Sequence, residues 1–152
     1  MAEYSAVGVQ EIAPGASAVF TVTVDPCLRG LVQHFDGTSG FLLSGNVGTN
    51  NYGCCCCQQN ATSRYLVDFG ANIAIAEGGT VGEISVAYAI DGIADPASIM
   101  RVTPAAAEEY QNVSRAKSVP IFRNCCQTVT IQNTSTQTIL MQNATLRILV
   151  NN

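Results

Sequence analysis

The chain has 152 residues, 47% hydrophobic and 12% charged, with seven Lys or Arg against eleven Asp or Glu and a formal charge of −4. That length fits one domain able to bury its own core, and the lack of a basic stripe argues against a nucleic-acid groove, which needs clustered Lys and Arg to displace counterions. No apolar run approaches the ~20 residues of a membrane span, and MAEYSAVGVQEIAPG shows neither the basic nor the apolar region of a signal peptide, so synthesis in the cytoplasm and no membrane partner are expected.

Apolar alternation recurs in short stretches separated by Gly, Asn, Asp or Pro. Ala18 to Val24 (AVFTVTV) runs into Asp25-Pro26, and Phe41 to Leu43 leads into a loop of Ser, Gly, Asn and Thr. Tyr65 to Phe69 and Asn72 to Ala76 precede Glu77-Gly78-Gly79. Ile84 to Ile90 (ISVAYAI) ends at Asp91-Gly92, a two-residue hairpin signal because both residues tolerate positive φ. Ile99 to Thr103, Val119 to Phe122, Thr128 to Gln132 and Thr138 to Val150 complete the series. Thr103-Pro104 followed by AAAEEY carries a helix-start signal, and Val113 and Ser114 then revert to strand composition, which allows at most a short helix or turn. Roughly eight to ten short strands without a long helix predict an all-β sandwich or barrel. No repeat or linker divides residues 1–152, so a single domain is expected.

Charged residues make up about half the usual one-quarter share. A surface so poor in charge is coated with neutral polar side chains or hidden in an oligomer. The last strand points to the second. Ile139, Met141, Asn143, Thr145, Arg147 and Leu149 alternate with Leu140, Gln142, Ala144, Leu146, Ile148 and Val150, and apolar residues occupy much of both sets. A strand apolar on both faces is usually buried on both. In a two-layer sandwich the second cover is another subunit, which makes Leu140, Leu146 and Ile148 interface candidates.

Cys54, Cys55, Cys56 and Cys57 form an unbroken run, with Cys27, Cys125 and Cys126 as the other thiols. On an extended chain, residues two apart lie about 6.5–7 Å apart and miss disulfide geometry, so partners must come from other strands or chains. Three readings stay open. Disulfides or cross-links suit a particle that leaves the reducing cytoplasm, and the odd total of seven leaves one thiol over or paired across a symmetry axis. Alternatively, Cys54 and Cys57 have C-x2-C spacing, and Cys125 with Cys126 would complete a four-thiolate site for zinc or iron. Lastly, all seven can be inert thiols.

Catalytic constellations are scarce. His34 is the single histidine, which removes most Ser-His-Asp and polyhistidine metal sites. No G-x-S-x-G elbow or phosphate-cradling loop occurs. Glu108-Glu109 and Asp91 with Asp95 are carboxylate pairs better read as solvated turn residues. Four Asn-x-Ser/Thr triplets begin at Asn60, Asn112, Asn133 and Asn143, and without a secretory signal they read as composition.

The block YLVDFGANIAIAEGGTVGEISVAYAIDG, then TPAAAEEYQNVSRAKSVPIF, then Cys125-Cys126-QTVTIQNTS and NATLRILV resembles a group of small proteins encoded by phages and prophages of Gram-positive gut bacteria. The same order of segments resembles the jelly-roll heads of tumour necrosis factor-like and collagen-associated trimers. The resemblance implies a two-sheet antiparallel jelly roll that forms a homotrimer and is carried on a virion as a capsid-decoration or head-fibre protein. Implied partners are copies of the chain, other virion structural proteins and a surface glycan. It implies no enzyme and no cofactor beyond the zinc or iron of the cysteine reading. The other expectations are a bacterial surface or spore-appendage subunit cross-linked by cysteines, and a thiolate metal-binding protein.

Overall fold

A computed structural model describes residues 1–26, 30–45, 62–123 and 125–151. In chain order the strands are β1 (Ala2–Ser5), β2 (Val9–Ile12), β3 (Val22–Asp25), β4 (Val32–Gln33), β5 (Phe41–Ser44), β6 (Thr62–Ile75), β7 (Ile84–Ile90), β8 (Ile93–Ala94), β9 (Met100–Val102), β10 (Gln111–Phe122), β11 (Cys126–Asn133) and β12 (Ile139–Asn151). Sheet A has the order β10-β6-β12-β1-β3 with β2 also on β12, and sheet B the order β4-β5-β11-β7-β8 with β9 also on β7. Every pairing is antiparallel. From β5 onward the chain passes back and forth between the sheets, giving a jelly-roll-like sandwich, so the all-β two-sheet expectation is met.

Alternation builds the interior. On β6 the odd-numbered residues from Tyr65 to Ile75 point inward and are buried, and they meet Phe41, Leu43, Ile84, Val86, Tyr88, Val129 and Ile131 from sheet B in one cluster. Two buried tyrosines lock the layers reciprocally. Tyr65 of sheet A donates its hydroxyl to the Ser44 carbonyl of sheet B. Tyr88 of sheet B directs its hydroxyl at Val67 O (3.0 Å) and Arg115 O (2.5 Å) of sheet A. Burial, with the Asp68 carboxylate as a second cause, pushes the Tyr88 phenol above its ordinary range. It therefore stays a neutral donor where carbonyls need one.

The Asp91-Gly92 turn has φ of 50° and 83°, the left-handed pair that a two-residue hairpin requires. The Pro104 segment forms bends and a turn instead of a helix. There the Glu109 carboxylate accepts the Ala105 N–H at 3.0 Å, and Glu108 takes φ 61°. The 3-10 turn Pro96–Ser98 is instead capped by Asp95, whose carboxylate accepts the Ala97 N–H at 3.0 Å.

The last strand corrects the two-sided reading. Between Gln142 and Thr145 its register with β6 shifts, so Asn143 and Ala144 oppose one residue, and Asn143 has φ 54°. This is a β-bulge, and one extra residue exchanges the inward and outward sets. Ile139 and Met141 face the core before it; Ala144, Leu146 and Ile148 face the same core after it. Leu146 and Ile148 share the inner face with Ile139 and Met141 because the strand changes phase, and of the three interface candidates only Leu140 stays on the outer face.

Candidate functional site

The interface candidates divide accordingly. Leu146 and Ile148, exposed to 0% and 1%, are core residues of the single chain and cannot meet another subunit. Leu140 does lie on the outer face, opposite Ala74 of β6 and Glu11 of β2, and is 9% exposed. The apolar residues that do reach solvent are elsewhere on sheet A. On its strands, Val9, Val22, Val24, Leu66, Phe122 and Leu149 are exposed, against Ile93 alone on the described strands of sheet B.

Leu66 and Leu149 stand directly opposite each other on β6 and β12, with 40% and 37% of their surface exposed. One step down the sheet, Asp68 faces Arg147 in the same register, and Arg147 reaches Glu3 of β1 at 3.3 Å. Small side chains flank them on one side, Gly70 on β6 with Ser114, Ala116 and Ser118 on β10, while the exposed Arg64 lies one outward position beyond Leu66. This face thus carries an apolar pair with a charged row beside it. Opposed side chains on such strands are about 5 Å apart and act as pairs.

Sheet B is finished differently. Its outward residues Ser85, Ala87 and Ala89 are buried, and Ser85 meets Thr134 Oγ1 at 2.8 Å while its carbonyl accepts from the Ser135 hydroxyl at 3.1 Å. Ser17 donates to Thr130 at 3.3 Å, and Gln132 Nε2 to Gly15 O at 2.7 Å. Segments 13–20 and 133–138 thereby occupy its polar groups.

The carboxylate pairs do structural work. Asp91 Oδ1 accepts the Thr128 N–H at 2.8 Å, joining the hairpin to β11. Asp95 caps the 3-10 turn and pairs with Lys117 of β10, and the Lys117 contact holds its carboxyl below the usual value. His34 is equally committed. Its Nδ1 is 2.9 Å from Gly40 O, its Nε2 3.3 Å from Phe20 O, and its ring stacks on Phe41 with centroids 4.2 Å apart. Neither nitrogen faces a space where a substrate could lie.

Of the cysteines, Cys27 and Cys54 to Cys57 lie outside the described residues. Cys125 packs half-buried against the core, and Cys126 opens β11 opposite Ser44. Among the described residues, no three of His, Cys, Asp and Glu gather as a metal site. A cleft of about 250 Å³ opens where β2 parts from segment 16–21, walled by Ala6, Val7, Ile12 and Val19. The Gln10 side chain spans the gap, its Oε1 accepting from Val19 N at 2.8 Å and its Nε2 donating to Val19 O at 3.1 Å.

Asn133 escaped attention in the sequence as anything but a glycosylation-like triplet. It is fully buried and saturated: Nδ2 donates to Ile12 O and Gln137 O, and Oδ1 accepts from Ser135 N. The Asn-Thr-Ser string was the available signal, since Asn opens such turns by accepting from the backbone two residues on.

No protein-family model and no curated protein matches the chain. Among solved structures it is similar to a Podospora anserina GH26-CBM35 β-(1,4)-mannanase at 18% identity and TM-score 0.39, over 99% of this chain and 28% of the enzyme. It is also similar to the CBM22-1 xylan-binding domain of Paenibacillus barcinonensis Xyn10C at 12% identity and TM-score 0.38, over 99% and 94% of the two chains. A third is CBM35 from Cellvibrio japonicus Abf62, at 10% identity and TM-score 0.32, over 95% and 99%. The chain thus spans less than a third of the mannanase. Likeness at this level transfers no ligand, and the sandwich class rests on the pairing of the strands themselves.

Proposed function

We propose that this chain is a non-enzymatic structural subunit that assembles from copies of itself and serves in a phage particle, as a capsid-decoration or head-fibre protein. The observation that carries the self-assembly is the uneven distribution of exposed apolar residues, six on the described strands of sheet A against one on those of sheet B. Adjoining exposed apolar side chains rimmed by polar residues mark interaction sites, and the in-register pair Leu66 and Leu149 is such a feature on sheet A. The committed state of His34, Asp91 and Asp95 favours a building block over a catalyst. The particle assignment stands on the sequence resemblance.

Peptide mass spectrometry on gradient-purified phage particles tests it. Stoichiometric recovery of this chain with the capsid proteins is the expected result. Its absence from intact particles, with recovery in reductant-soluble surface filaments, would transfer the role to a cross-linked appendage.

A further inference from the structure

We propose that the outer face of sheet A is a homodimer surface, in which two copies pack about a two-fold axis parallel to the strands and passing between β6 and β12. The inference rests on the self-assembly reading and goes further, naming the face and its symmetry. It begins from the in-register pairs Leu66–Leu149 and Asp68–Arg147, which bridge the same two strands in adjacent rows. An axis between those strands lays β6 of one copy over β12 of the other. Leu66 then faces the partner's Leu149, and Leu149 the partner's Leu66. The same operation sets Asp68 over the partner's Arg147 and Arg147 over the partner's Asp68.

Charge selects this arrangement. An in-plane axis perpendicular to the strands through that row stacks Arg147 on the partner's Arg147 and Asp68 on the partner's Asp68, which like-charge repulsion opposes. Gly70, Ser114, Ala116 and Ser118 leave room beside the charged row, and the long side chains of that row, Arg147 and Glu3, already reach along the sheet toward each other at 3.3 Å. One patch that complements itself makes an isologous contact, which closes as a dimer. A three-fold ring instead joins two different patches.

Charge exchange tests this directly. By sedimentation equilibrium at about 50 μM, far above the dissociation constant of a micromolar dimer, the wild-type chain is expected at twice the 16.0 kDa of one copy. Asp68→Arg alone and Arg147→Asp alone should each weaken the dimer at least ~100-fold and sediment with a weight-average mass shifted well toward the monomer. Mixing the two variants should restore the dimer, because each copy then meets opposite charge at both positions. Circular dichroism and the rescue itself establish that both variants fold, and Leu149→Lys should dissociate the dimer independently. A wild-type trimer whose mass none of these changes alters would overturn the two-fold face and leave self-assembly standing. A wild-type monomer would overturn both, and a dimer indifferent to all three variants would place the contact on another face.

Discussion

Sheet A and sheet B bury equally continuous inner faces, yet their outer faces are finished in different ways. On sheet B the polar groups of Ser85, Thr130 and Gln132 are taken up by chain segments folded beside them. On sheet A Leu66, Leu149 and Phe122 remain substantially exposed. A sandwich needs both inner faces and neither outer one, so whatever distinguishes the outer faces reflects what each meets. Sheet B meets its own loops. Sheet A carries apolar surface that the chain itself does not cover.

The strongest way to break this contrast uses two leucines three residues apart on β12. Leu146→Asp puts an unpaired carboxylate into the core, where burial costs several kcal/mol, and should abolish cooperative unfolding in a thermal melt. Leu149→Asp, on the outer face, should leave the melt of dilute protein within about 0.5 kcal/mol of wild type. Equal loss at both would place Leu149 inside. The layers themselves are probed next. Tyr88→Phe strands the Val67 and Arg115 carbonyls and should cost about 1–3 kcal/mol in chemical denaturation.

The same tyrosine sets an alkaline limit. Its folded-state phenol is raised above the ordinary 10.0, so its contribution is complete below that pH and declines as pH rises past it. Wild type should lose stability above about pH 10, and the Tyr88→Phe variant should lose less. At the acid end the effect is smaller and of opposite sense. Asp95 is held below its ordinary 3.8 by Lys117 and the Ala97 N–H, so its contribution is present above that value and lost as pH falls beneath it. Asp95→Asn should flatten the acid limb of a pH–stability profile, and an unchanged limb would show the pair to be too solvated to matter.

Much of this molecule was legible in its residues. β7 matched its ISVAYAI run residue for residue, because a strand bounded by Asp-Gly has clean ends. β6 emerged as one strand where the pattern suggested two, since Gly70 breaks the apolar pattern but not the ladder that β10 and β12 make on either side. β1 and β2 were not seen at all. They are four residues each, laid end to end along β12, and although β1 alternates buried with half-buried residues, so short a stretch does not stand out in the chain. Leu146 and Ile148 were placed on an interface for one physical reason: periodicity carries no mark of a bulge, so the phase change at Asn143 was read as two-sided burial. Leu66 and Leu149 were invisible as a pair because register is a property of two strands, and no spacing along one of them contains it.

The contrast between the two outer faces is tested most directly by sedimentation equilibrium of Leu66→Lys beside Thr130→Lys, one charge placed on each sheet. The expected result is a dimeric wild type, a dimeric Thr130→Lys and a monomeric Leu66→Lys. A Leu66→Lys chain that assembles as wild type does, while Thr130→Lys falls apart, would assign the assembly surface to sheet B and contradict the account.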